Sequence, residues 1–156
     1  MKNLSKYWTK LVKWLGFLSI LSGVFWTVWR LIKSLNENPK TNLHLLLGKY
    51  RNLRKILIAQ ARHETGDFTS RAYHENHNLF GMGNANVRKQ LGYKGLDQYR
   101  HYKNNDQSIR DMLLYLDSVN MPTDLSVQEY VTALNNLGYF TAPFYEYFEG
   151  VKHYYK

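Results

Sequence analysis

The run Gln60-Ala61-Arg62-His63-Glu64-Thr65-Gly66, followed by Glu75-Asn76-His77-Asn78-Leu79-Phe80-Gly81-Met82, holds the residues best placed to do chemistry. Leu53, Leu57, Ala61 and Glu64 recur at helical spacing, so Glu64 prolongs a stripe that faces the interior. Gly66 is a helix stop just beyond it. A carboxyl group there is partly desolvated and lies at the negative end of the helix dipole, and both effects favour its protonated form. Such a group delivers a proton near neutral pH. The competing reading is a Glu64 that points outward from a frayed last turn. His63, His74 and His77 beside Glu64 and Glu75 could be taken for a metal cluster, but His74-x-x-His77 in a loop lacks helical ligand geometry, so neither a metal nor another cofactor is expected.

The elements that must position this carboxyl are mostly helical. The spacing predicts a helix from about residue 42 or 43 to Glu64, interruptible at Gly48. A second follows Asp106, with Ile109, Met112, Leu113 and Leu116 on one face. Ser126 and Glu129 form a capping-box pattern that opens a third, with Val127, Tyr130, Val131, Leu134 and Leu137 inward and Gly138 closing it. Pro143 stands near the start of a fourth, whose stripe is Phe144, Tyr147, Phe148 and Val151. Between Met82 and Tyr102, glycines and short aromatic runs predict a small β-hairpin lobe. The fold class is therefore α+β, with a cleft between helices and lobe.

The two runs around Glu64 and Asn78 resemble the peptidoglycan glucosaminidases of glycoside hydrolase family 73, in the lysozyme-like superfamily, which carry an A-x-E-[ST]-G helix end followed by N-x-N-L-F-G. Tyr99-Arg100-His101-Tyr102 with Asp106-Gln107-Ser108-Ile109 is similar to the family's aromatic strand and following helix. Residues 137–145, which read Leu-Gly-Tyr-Phe-Thr-Ala-Pro-Phe-Tyr, are similar to its G-Y-A-x-D-P-x-Y segment. The four landmarks stand in the family's order over roughly residues 50–156. The resemblance implies a lysozyme-like domain in which Glu64 protonates the glycosidic oxygen. It also implies that Asn78, Leu79, Phe80 and Gly81 shape the cleft wall, that Tyr139 lies close to the scissile bond, and that Tyr99, Tyr102 and Tyr145 are cleft aromatics.

Two departures bear on mechanism. Family members often carry a second acid in the β-lobe, and between Met82 and Tyr102 this chain offers Asp97 alone. A pair of carboxylates must stand about 5 to 9.5 Å apart across the sugar. Asp97 is the candidate, and participation by the substrate's own N-acetyl group is the alternative. Ala142 stands where the family commonly has an Asp.

Composition and charge place the domain. The chain has 156 residues, no cysteine and a formal charge of +9. Residues 1–40 hold seven Lys or Arg against one acid, whereas residues 41–156 hold fourteen against eleven. That asymmetry suits anionic lipid headgroups better than a nucleic-acid groove. Residues 14–29 are free of charge between Lys13 and Arg30, and extension to Leu11 and Ile32 approaches the ~20 residues that span a bilayer. Trp8 and Trp14 near one end, with Trp26 and Trp29 near the other, resemble an aromatic belt. A cleaved signal peptide with Lys2, Lys6, Lys10 and Lys13 as its basic region is the main rival, yet the apolar run continues through Val24, Phe25 and Trp26 past Ser22 and Gly23. A helix packed on a partner protein is the third reading.

These observations predict a transmembrane anchor over residues 1–35, a polar linker over 36–42 and a catalytic domain over 43–156, the domain on the cell-wall side. The expected partners are peptidoglycan glycan strands, the lipid bilayer, and envelope or phage-virion proteins. The alternative function is a structural or peptidoglycan-binding protein that keeps the fold without turnover.

Overall fold

The computed structural model describes residues 26–28, 47–85, 88–95 and 98–156. The chain divides into two compact units, Met1–Asn36 and Glu37–Lys156. The first is described only at residues 26–28, which are helical. The expected span and linker therefore lie almost wholly outside the described residues. Among the described residues no helix is long and apolar enough to cross a membrane.

The second unit is mostly helical with one small antiparallel sheet. Its described part begins at Leu47 and runs into a 3₁₀ segment, Gly48–Leu53, whose Tyr50 leaves helical geometry at φ −87°, ψ 21°. Helix α1, Arg54–Glu64, continues from it, so residues 48–53 of the expected helix are 3₁₀, and its first residues, 42–46, lie outside the described residues. Leu53, Leu57 and Ala61 are fully buried, as their stripe predicts, and Ile56, Ala59 and Gln60 are buried as well. A helix enclosed on so many sides is the centre of its domain. It packs chiefly on the last helix, α5, Phe144–Tyr154, which also packs on α4, Val127–Asn136.

The capping box is formed: Ser126 Oγ accepts from the Glu129 amide at 3.3 Å, and the Glu129 carboxylate accepts from the Ser126 amide at 2.8 Å. Gly138, at φ +65°, ends the helix region as expected. Leu137 departs from its expected inward place and is 46% exposed, because it caps α4 where the helix face no longer meets the core. Pro143 is the N-cap of α5, and Tyr147 and Val151 are buried. Phe144 and Phe148, from the same stripe, stack at 5.9 Å on its half-buried margin.

An additional short helix, α2, Arg71–Asn76, lies where the sequence reading placed His74 and His77 in a loop. Ser70 caps it by accepting from the Tyr73 amide, and His77 ends it in the left-handed region. Before it, Gly66, Asp67 and Phe68 all have positive φ. Left-handed backbone is costly for the two non-glycine residues, and local bonds hold it: the Asp67 amide donates to the Arg62 carbonyl at 2.7 Å, and the Arg62 guanidinium grips the Asp67 carboxylate with two bonds.

The lobe consists of β1, Tyr93–Lys94, and β2, Arg100–His101, paired antiparallel, with a bridge between Gly83 and Tyr99. Strands this short do not stand alone. Asp111, fully buried on α3, Asn105–Ser118, ties the lobe to the helices. Its carboxylate accepts two bonds from Arg88 at 3.0 Å, one from the Leu91 amide at 2.8 Å and one from the Tyr102 hydroxyl at 2.7 Å.

Candidate active site

Glu64 is the last residue of α1 and keeps a fraction of its surface open, while protein atoms enclose most of its carboxyl group. Burial pushes its pKa up from 4.5 to about 7, and a hydrogen bond from Tyr147 pulls the other way. Tyr147 Oη donates to Glu64 Oε1 at 2.6 Å. The other oxygen, Oε2, faces Gly81: a side-chain carbon on Gly81 would lie 2.6 Å from it. Gly81 has φ +61° as well, so both its backbone and its neighbour require glycine.

The turn that brings Gly81 to the carboxyl is fastened on several sides. Asn78 donates through Nδ2 to the carbonyls of Met82 and Arg100, at 2.9 and 3.0 Å, and accepts the Met82 amide at 3.0 Å. The Leu79 amide donates to Ser108 Oγ at 3.0 Å. Tyr139 donates its hydroxyl to the Phe80 carbonyl. Leu79 and Phe80 are fully buried, so they support the turn from the core and only Gly81 stands at its open side.

Gly81 also borders a groove of about 490 Å³, lined by Met82, Asn84, Tyr115 and Tyr139 among others. That size lies in the range of small-ligand clefts, about 300 to 1,000 Å³. Glu64 does not itself line it; Gly81 borders the groove and, lacking a side chain, leaves a gap in front of Glu64 Oε2. The ring of Tyr139 faces the groove and stands 5.3 Å from that of Tyr115, while its hydroxyl is spent on Phe80.

The other expected site residues are scattered. Tyr102 is 2% exposed with its hydroxyl on Asp111, so it anchors the lobe, and it does not line the groove beside Gly81. Tyr99 is 38% exposed at the edge of the lobe, and Tyr145 is 70% exposed on α5. Neither lines the groove beside Gly81. Asp97 lies outside the described residues.

Three polar residues behind Glu64 escaped the sequence reading. Tyr130 Oη donates to Gln60 Oε1 at 2.7 Å, and Gln60 Nε2 donates to Tyr147 Oη at 3.2 Å. Burial holds the Tyr130 and Tyr147 phenols well above their ordinary range, which keeps them protonated. Tyr147 is stacked on Phe140 at 3.8 Å and met edge-on by His63 at 4.9 Å. Burial lowers the pKa of His63. In sequence, Tyr130 and Tyr147 are indistinguishable from core aromatics. Gln60 gave the one available signal, a polar residue one helical turn before Glu64 on a buried helix.

A carboxyl held near pKa 7 against a groove-lining glycine, with no charged group bonded to it among the described residues, is suited to acid catalysis on an uncharged leaving group. The family described as mannosyl-glycoprotein endo-beta-N-acetylglucosaminidase matches residues 41–152. The chain belongs to this glucosaminidase family, and the domain is a glycoside hydrolase. Comparison with curated proteins gives no match, and comparison with solved structures gives none.

Proposed function

We propose that the domain cleaves β-1,4 glycosidic bonds in the glycan strands of peptidoglycan, as an N-acetylglucosaminidase of lysozyme-like architecture, with Glu64 as the general acid. The observation that carries this reading is the Glu64 carboxyl itself, held near pKa 7 with Oε2 at the gap beside Gly81. At neutral pH about half the molecules carry the proton, a balance suited to a group that must first give a proton and then take one back.

In the proposed reaction Glu64 protonates the glycosidic oxygen as the bond to the anomeric carbon breaks. The acetamido oxygen of the same sugar closes on that carbon, forming a cyclic intermediate. Water then opens the ring, and the Glu64 carboxylate accepts its proton. This route needs no second protein carboxylate; Asp97 is the candidate for a two-carboxylate alternative. The Tyr139 ring lies against the reacting sugar, and its hydroxyl keeps the turn in place. The basic, Trp-rich residues 1–35 anchor the domain to a bilayer, in a bacterial envelope or a phage virion, so that it acts on the adjoining wall.

Mass spectrometry of fragments released from purified peptidoglycan by the full chain tests the proposal. Reducing GlcNAc ends that disappear with Glu64→Gln are expected. Reducing or anhydro MurNAc ends would reassign the bond or the attacking group. Binding to the wall without any Glu64-dependent release would refute hydrolysis in favour of a wall-binding role.

A further inference from the structure

The hydrogen-bond chain behind Glu64 has a direction. Each phenol owns one proton. Tyr130 places its own on Gln60 Oε1, which turns the Gln60 amide so that its NH₂ end faces Tyr147. Tyr147 therefore accepts from Gln60, and its proton goes to Glu64 Oε1. Gln60 and Tyr130 are fully excluded from solvent, so no water competes for these bonds.

We propose that Tyr130, Gln60 and Tyr147 are positioning residues that decide which oxygen of Glu64 holds the transferable proton: Oε1 is kept as an acceptor, and the proton resides on Oε2, at the Gly81 gap. The assignment rests on Glu64 being the acid of the preceding section. With the Gln60 amide reversed, its carbonyl would take the Tyr147 proton, and the Glu64 proton could then lie on Oε1, pointing at Tyr147 and away from the groove. Gly81 completes the arrangement, since any side chain there would occupy the space in front of Oε2.

Among the described residues, the groups around Glu64 leave this chain of bonds as the polar influence on it. From α5 comes Tyr147, and from α4 and the segment after it come Tyr130 and Tyr139, all held protonated by burial. His63, on the same helix as Glu64, lies against Tyr147 and Gly150, and burial favours its neutral form. Arg62 is engaged by Asp67. The turn contributes Gly81, which carries no charge.

The test is a pH titration of the Glu64 carboxyl by ¹³C NMR on the glutamate-labelled full chain, assigned with Glu64→Gln and run beside the pH profile of fragment release. Tyr147→Phe removes a donor to the carboxylate, and Glu64 is expected to titrate about one pH unit higher. Tyr130→Phe never touches Glu64, yet it frees the Gln60 amide and is expected to move the titration in the same direction by about half a unit. The alkaline limb of the release profile follows both shifts. Gln60→Met, which cuts the chain, also shifts the titration upward, and Tyr130→Phe adds nothing in that background. A Glu64 titration unchanged by Tyr130→Phe overturns the proposal; if that variant does not fold, an unchanged titration in Gln60→Met does so. Because NMR needs no substrate, the expected shifts without any Glu64-dependent release would refute the hydrolase reading and leave the chain of bonds standing.

Discussion

Replacing Glu64 by Gln is expected to stabilise the protein in alkali and to leave its stability in acid nearly unchanged relative to that gain. Burial raises the folded-state pKa from 4.5 to about 7, a rise of 2.5 units. Below pH 4.5 the group is neutral whether the chain is folded or unfolded. Between these values the unfolded chain ionises while the folded chain keeps its proton, so the folded state binds more protons and loses stability as pH rises. At 1.36 kcal/mol per unit the loss reaches about 3 kcal/mol and is complete above pH 7. The substituted amide does not titrate, and contributions from other groups cancel between parent and variant. Urea unfolding followed by circular dichroism at intervals from pH 4 to 8.5 should show the variant's advantage growing by about 3 kcal/mol across that range. An advantage constant with pH would refute the premise that Glu64 is kept protonated by burial, and with it the argument for its role as acid.

Other perturbations probe how the site is held. Gly81→Ala combines a positive φ with a contact at 2.6 Å from Glu64 Oε2, so glycan cleavage should fall at least about tenfold and stability by about 1 to 3 kcal/mol; parental release kinetics would show the gap to be irrelevant. Gly150→Ala would press a methyl into the His63 ring, costing about 1 to 3 kcal/mol in urea unfolding, and adding His63→Ala should recover most of that loss if the ring is the obstacle. Asp111→Ala strips partners from Arg88, Tyr102 and the Leu91 amide at a fully buried site, so a loss of about 3 to 5 kcal/mol is expected. An exposed-surface cost, under about 1 kcal/mol, would mean that the lobe is not fastened through Asp111.

Much of the frame was legible from local patterns. The Leu53, Leu57, Ala61 stripe, the Ser126 and Glu129 capping box and the Gly138 stop are short-range signals, and each appears in the structure where spacing puts it. The short helix at Arg71–Asn76 was missed because its polar sequence shows no apolar period, and its Ser70 cap is a weak signal alone. Leu137 was misplaced because periodicity continues past the point where the helix stops having a core to face. That the Tyr102 hydroxyl is held by Asp111, nine residues along the chain, was not legible from residue types alone.

The sequence by itself determined that a carboxyl would end a buried helix beside a glycine stop, because burial stripe, helix end and capping are properties of neighbouring residues. Only the tertiary structure decided what that carboxyl touches. Tyr147 and Gly81 reach Glu64 from 83 residues later and from a separate turn, and Tyr130 orients Gln60 across a separation of 70. Hydrogen-bond direction and close approach depend on how α1, α4 and α5 pack, and no local pattern of residue types encodes that packing.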